Sequence, residues 1–431
     1  MCANLKVNRL GPTAVLGSMK TRVIEADWKV LLTLLPGDLE ASARAHGALR
    51  RRRGVPSAAV LLRLALAYAA CGLSLRSVVA WAAQLGIAHL SDVALLKRLR
   101  QAGPWLGQLL AQKLAEHGCH SPAAPPLRVR LLDATSISRP GSHGTDWRVH
   151  LGFDLAAGCI DAAEVTPASE GETLTRHLVG PGEVAVADRG YGHRRGIAAV
   201  AAAGGELIVR LNSNNVPLET PAGAPFDPLE AVRDLAAGES AEFVVRTAPD
   251  PKAELPASAG RLVVLRKSEA ATETAQRKLR RQAQRNGRTP DQRALAAAAY
   301  VCLFTTVAPA RLTTREVLEL YRCRWQIELT FKRLKGILQL DDLTARDPGL
   351  CRTFLLTKLL AMLLVEELAR DYLAFSPWGY GLPAAPVALA ALPGAGRDPA
   401  ACRGHRPALR RLAAPAPRGR TRAARFTPTA P

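Results

Sequence analysis

The chain has 431 residues, with 58 Lys plus Arg against 37 Asp plus Glu, a formal charge of +21. That length suggests two or three domains, and 48% hydrophobic content supplies a core, which excludes a disordered chain and a small disulfide-held scaffold. A pI near 10.3 points to a polyanion, either nucleic acid or an anionic membrane surface.

Eight cysteines are scattered without a C-x-x-C pair and no secretory signal opens the chain, so free thiols and a cytosolic setting are expected. His117, Cys119 and His120 lack a second ligand pair at zinc spacing and read as a loop before Pro122. No membrane span is expected: residues 58–73 are interrupted by Arg63, and residues 355–369 contain Lys358, Glu366 and Glu367.

In chain order, residues 21–116 are helical in pattern. Ser74 to Gly86 and Ser91 to Arg100 read as two helices across a Gly turn, with Ser91 as N-cap. A DNA-binding helix-turn-helix and a plain helical bundle with a basic surface both fit. After a Pro122–Pro126 linker the period changes. Strands are expected at 128–137, 147–155 and 160–165, a short helix at 172–178, a strand at 183–188, a helix at 193–203 and a strand at 206–211. That order describes an α/β fold, a mixed sheet flanked by helices. Residues 212–306 are more irregular, with strand-like segments at 242–246, 261–265 and 300–305 and a basic helical stretch from Arg277 to Arg285. Thr313 with Glu316 forms a capping box, so a helix is expected to start there and run through Lys335, with a second apolar helix at 353–373. Residues 381–431 hold nine Pro, nine Arg and one acid, Asp398, and read as disordered. They are either a natural basic arm or the product of a frameshift.

The capped helix carries the chemistry-bearing side chains. At about 100° per residue, Tyr321, Arg324, Glu328 and Lys335 share one edge, beside an apolar stripe of Leu320, Ile327, Phe331, Leu334 and Leu338. Two further carboxylates sit in or at the end of apolar strands: Asp133, and Asp188 before the turn Arg189-Gly190-Tyr191-Gly192. A strand carboxylate is expensive to bury unless a cation pairs with it. Asp133, Asp188 and Glu328 together would form a hard oxygen cluster suited to Mg²⁺ or Mn²⁺, and two such ions can drive phosphodiester chemistry.

The segments Leu131-Leu-Asp-Ala-Thr-Ser136 and Ala187-Asp-Arg-Gly-Tyr191, with the Y-x2-R-x3-E-x6-K spacing from Tyr321 to Lys335, resemble the DDE transposases of bacterial insertion sequences, specifically the IS-four group. The likeness runs from about residue 20 to Tyr380. It implies an RNase H-like catalytic core interrupted by a β-rich insertion. The expected division is a helical DNA-binding region over 1–121, core over 122–211, insertion over 212–306, core helices over 307–380 and the tail. It implies that Asp133, Asp188 and Glu328 hold two metal ions per site and that Tyr321, Arg324, Lys335 and Arg189 contact DNA. Tyr300 would offer a stacking platform for a flipped base. It also implies double-stranded DNA as partner, metal-dependent cleavage and strand transfer as activity, and a homodimer in the synaptic complex. An RNase H-like nuclease without strand transfer would keep the acids but not Tyr321, Arg324 and Lys335 in register. A non-catalytic DNA-binding protein would leave the acids without a reason.

Overall fold

The computed structural model describes residues 27–119, 127–211 and 215–373, without side chains at 117–119 and 369–373. The Pro122–Pro126 linker, the side chains of His117, Cys119 and His120, and the 381–431 tail lie outside the described residues.

Helices come first: α1 (27–33), α2 (Leu39–Ala45), α3 (Ala58–Ala69), α4 (Leu75–Gln84) and α5 (Asp92–Cys119). Gly86 turns the chain between α4 and α5 with φ +64°, a left-handed conformation that favours glycine. Ser91 caps α5, its hydroxyl accepting from the Ala94 N–H at 3.2 Å. Two basic residues in the first turns of α5 are partly engaged within the protein. Arg98 donates to the Arg51 and Arg53 carbonyls, and Arg100 pairs with Asp347 at 3.1 Å.

The strands are β1 (Arg128–Ile137), β2 (Trp147–Asp154), β3 (Cys159–Pro167), β4 (Glu183–Ala187) and β5 (Glu206–Arg210), with α6 (Arg194–Ala202) between the last two. After them come β6 (Leu218–Glu219), β7 (Pro225–Phe226), α7 (Pro228–Ala231), β8 (Ser240–Thr247), β9 (Ala259–Arg266), α8 (Glu269–Arg285), α9 (Gln292–Ala297) and β10 (Tyr300–Thr305). They form one ten-stranded sheet in the order β3-β2-β1-β4-β5-β10-β9-β8-β6-β7. β1 is antiparallel to β2 and parallel to β4, β5 is parallel to β4, and β10 returns antiparallel to β5. The strands of the 212–306 segment therefore extend the same sheet. The helix expected at 172–178 is only a 3₁₀ turn, Leu174–Arg176. Thr173 and Gly180 bracket a stretch too short for a helical nucleus to be stabilised by packing.

The last described elements are α10 (Thr314–Cys323), α11 (Trp325–Leu338) and α12 (Pro348–Leu373). Leu132, Ala185, Ala187, Leu207 and Val209 pack with Ile197 and Val200 of α6. Elsewhere α11 rests on β1 and β2, and α12 rests on α3, α5 and β3. α12 begins at Pro348, five residues before the expected start at 353. By length and composition Pro348–Leu368 would pass for a membrane span, although 78% of that window is buried in this fold. Lys358 is accommodated there by donating to the Gln339 carbonyl at 2.6 Å.

Two histidines are held in the interior. His150 on β2 meets Thr166 Oγ1 through Nε2 at 3.0 Å, and burial, then the charges of Arg176 and Arg148, push its pKa down to about 4. Burial, then Arg130, pushes His177 down to about 3. Because both folded values lie below the unfolded one, the unfolded chain binds more protons between them. The stability involved is complete above about pH 6.5 and is lost as pH falls toward 4. Between pH 6.5 and 4.5, urea denaturation is expected to show a loss of stability greater in the parent than in His177→Gln, by about 2 kcal/mol. Equal losses would remove His177 from the acid response.

Candidate active site

β1 is apolar through Leu131 and Leu132, both fully buried, and then places Asp133 with its side chain 15% exposed. In the parallel β1–β4 pair Leu132 lies opposite Ala187. Asp133 and Asp188 are thus the next residues along two neighbouring strands, a separation set by the sheet spacing of roughly 5 Å. Asp188 ends its strand by capping the 3₁₀ turn Arg189–Tyr191, accepting from the Gly190 N–H at 2.8 Å. Asp133 accepts from the Ala134 N–H at 2.8 Å. Burial raises its pKa to about 7; the charges of Asp188 and Glu172 add to the rise, while the Ala134 N–H and Arg324 oppose it.

Glu328 arrives from the helix side, and its position depends on a break the sequence does not show. The capping box forms: the Thr313 N–H donates to Glu316 Oε2 and the Glu316 N–H donates to Thr313 Oγ1. The helix is not continuous to Lys335, however. It divides at Arg324, where the Arg324 N–H reaches the Tyr321 carbonyl and the Ile327 N–H reaches the Arg324 carbonyl, tightened bonds three residues apart. Local propensity gives no reason to stop there. At the break the Arg324 guanidinium makes one tertiary contact, with Asp133 Oδ2 at 3.4 Å, and one local contact, with Glu328 Oε1 at 2.5 Å. It also lies 5.8 Å from the centre of the Tyr321 ring. The predicted apolar stripe is buried in full, which pins α11 on the sheet. Lys335 stands two turns beyond Glu328 and is half-exposed.

Arg189 and Tyr300 meet elsewhere. Both line a cavity of about 650 Å³ with Arg210, Lys267, Lys278 and Cys302. Partial burial and the mutual repulsion of neighbouring cations push Arg189 and Lys267 below their ordinary values. Tyr300 packs against the sheet core and donates its hydroxyl to the Val232 carbonyl at 3.3 Å. The spacing-based reading missed Arg210, Lys267 and also Glu172, which follows β3 and pairs with Arg148 at 3.6 Å. Burial and then Asp188 raise the Glu172 carboxyl. Nothing in the polar loop around Glu172 distinguishes it in the sequence.

A family model described as a transposase DDE domain matches residues 124–364. The chain belongs to the DDE transposase family. It is 38% identical over 361 residues to the transposase for insertion sequence element IS421 of Escherichia coli, covering 82% of this chain and 97% of that protein. The InsL protein of insertion sequence element IS186A of E. coli strain K12 matches at 38% over 360 residues with the same coverage. The transposase for IS231F of Bacillus thuringiensis subsp. israelensis is 24% identical over 271 residues, 56% of each chain.

DDE transposases act on DNA with divalent metal ions. Among the described residues no three His, Cys, Asp or Glu side chains stand close enough together to enclose an ion; Glu328 is turned to Arg324. The donor chemistry still fits. Two adjacent carboxylates, one desolvated and repelled by the other, are the hard oxygen set that a divalent cation stabilises.

The raised Asp133 has a measurable cost. Its folded pKa lies above the unfolded one, so stability is lost as pH rises from about 4 through 7. In chelator at pH 8, Asp133→Asn is expected to be more stable than the parent by roughly 1–3 kcal/mol, with the difference shrinking toward pH 4. A variant that melts lower at pH 8 would contradict this.

Proposed function

We propose that this DDE-family protein binds the terminal inverted repeats of an insertion sequence, cleaves DNA at the element ends and joins the freed ends to a target. The observation that carries the reading is Arg324 reaching Asp133, 191 residues away in sequence, and joining it to Glu328, beside the strand end that presents Asp188. Asp133, Asp188 and Glu328 would hold two Mg²⁺ or Mn²⁺ ions. When bound, these activate the attacking oxygen and stabilise the leaving one.

The protein's own groups set the geometry. Water oxygen attacks a phosphorus at the element end, the bond to the 3′ oxygen breaks, and that oxygen leaves as a 3′-hydroxyl. The hydroxyl then attacks a target phosphodiester and expels the target's 3′ oxygen. Tyr321, Arg324, Lys335 and Arg189 are suited to hold the phosphates, and Tyr300 offers a ring beside the cations of the 650 Å³ cavity. Synapsis of two ends calls for a homodimer, acting at the nucleoid.

Glu328→Ala is expected to abolish Mg²⁺-dependent cleavage of an end-containing duplex while sparing its binding in a gel-shift assay. Unchanged cleavage refutes the assignment. Lys335→Ala is expected to weaken end binding and to lower the slope of log affinity against log salt by about 1. An unchanged slope would take Lys335 off the phosphates.

A further inference from the structure

Glu172 is not part of the Asp133, Asp188 and Glu328 set, yet its carboxylate comes to the opposite side of Gly190 from Asp188. A methyl group on Gly190 would sit 1.7 Å from Glu172 Oε2 and 3.1 Å from Asp188 Oδ1. Carboxylates from two separate segments therefore flank one residue, and the absence of a Cβ lets them do so. The one ion pair of Glu172 among the described residues is with Arg148 Nη1, on Oε1, at 3.6 Å, beyond hydrogen-bond reach.

A second observation comes from Tyr191, two residues past that glycine's neighbour Arg189. Its side chain is 0% exposed and its hydroxyl has no hydrogen-bond partner. The negative charges of Asp133, Glu172 and Asp188 all act on it. A buried hydroxyl left unpaired is costly, and this one lies within electrostatic reach of three carboxylates while bonding to none. The charge count points the same way. Asp133, Asp188, Glu172 and Glu328 outnumber the two guanidiniums, Arg148 and Arg324, that pair with them.

We infer that Glu172 is a fourth carboxylate of the centre, donating an oxygen to a divalent cation beside Asp188, with the Tyr191 hydroxyl as a fixed donor to that cation's bound water. This rests on the reading of Asp133 and Asp188 as cation ligands. It makes the turn after β3 part of the site, and it gives Gly190 a role, since a larger residue would push Glu172 Oε2 away.

The test is Mn²⁺ titration of the full chain without DNA, followed by electron paramagnetic resonance of the free ion, with melting in chelator as a check on folding. Glu172→Gln is expected to weaken Mn²⁺ binding about tenfold or more. Tyr191→Phe is expected to weaken it a few-fold while melting no lower than the parent in chelator, because the hydroxyl it removes is unpaired. Parent-like Mn²⁺ affinity in Glu172→Gln overturns the inference. If Asp188→Asn removes binding in the same series, that failure is confined to Glu172. If Asp188→Asn is also silent, the cation-centre reading falls with it.

Discussion

Keeping Asp133 charged in a half-dry position is the constraint around which the rest is arranged. A carboxylate taken out of water needs compensation from fixed dipoles or opposite charge. The strand supplies one N–H from Ala134, and the helix pair supplies the Arg324 guanidinium. Neither is sufficient, since the group still titrates near neutrality. A centre that is electrostatically incomplete by itself favours whatever positive charge arrives. Arg324 is the counter-charge available without a cation, and it bridges Asp133 to Glu328.

Much of this was legible in the sequence because its cause is local. β10 begins and ends where its apolar run does, and the capping box at Thr313 and Glu316 forms as the spacing demands. Asp133 and Asp188 stood out because a carboxylate within or ending an apolar strand contradicts its surroundings. What the sequence hid has tertiary causes. The helix divides at Arg324, whose guanidinium meets Asp133 on a strand almost two hundred residues away. The extension of the sheet by β10 depends on a pairing with β5 that no local pattern encodes. Glu172 sits in a polar loop, where an acid is unremarkable until Gly190 is seen beneath it.

The charge also reads differently once contacts are known. Arg128 pairs with Asp154, Asp161 and Glu183, and Arg130 pairs with Asp161. These guanidiniums stitch strand ends together and are not available to a polyanion. Arg189, Arg210 and Lys267 are the contrast: they face a cavity with repulsion among themselves, the situation a bound anion relieves.

The antiparallel join of β10 to β5 makes the sheet a ruler. Tyr300 opens β10, Asp188 follows β4, and a single strand lies between them. With strands about 5 Å apart, the aromatic ring and the acid are indexed to each other by hydrogen-bonded backbone and not by a flexible hinge. On the function proposed above, a nucleotide stacked on Tyr300 would leave the phosphate at Asp188 at a fixed offset set by strand geometry, which a residue inserted in β5 would displace.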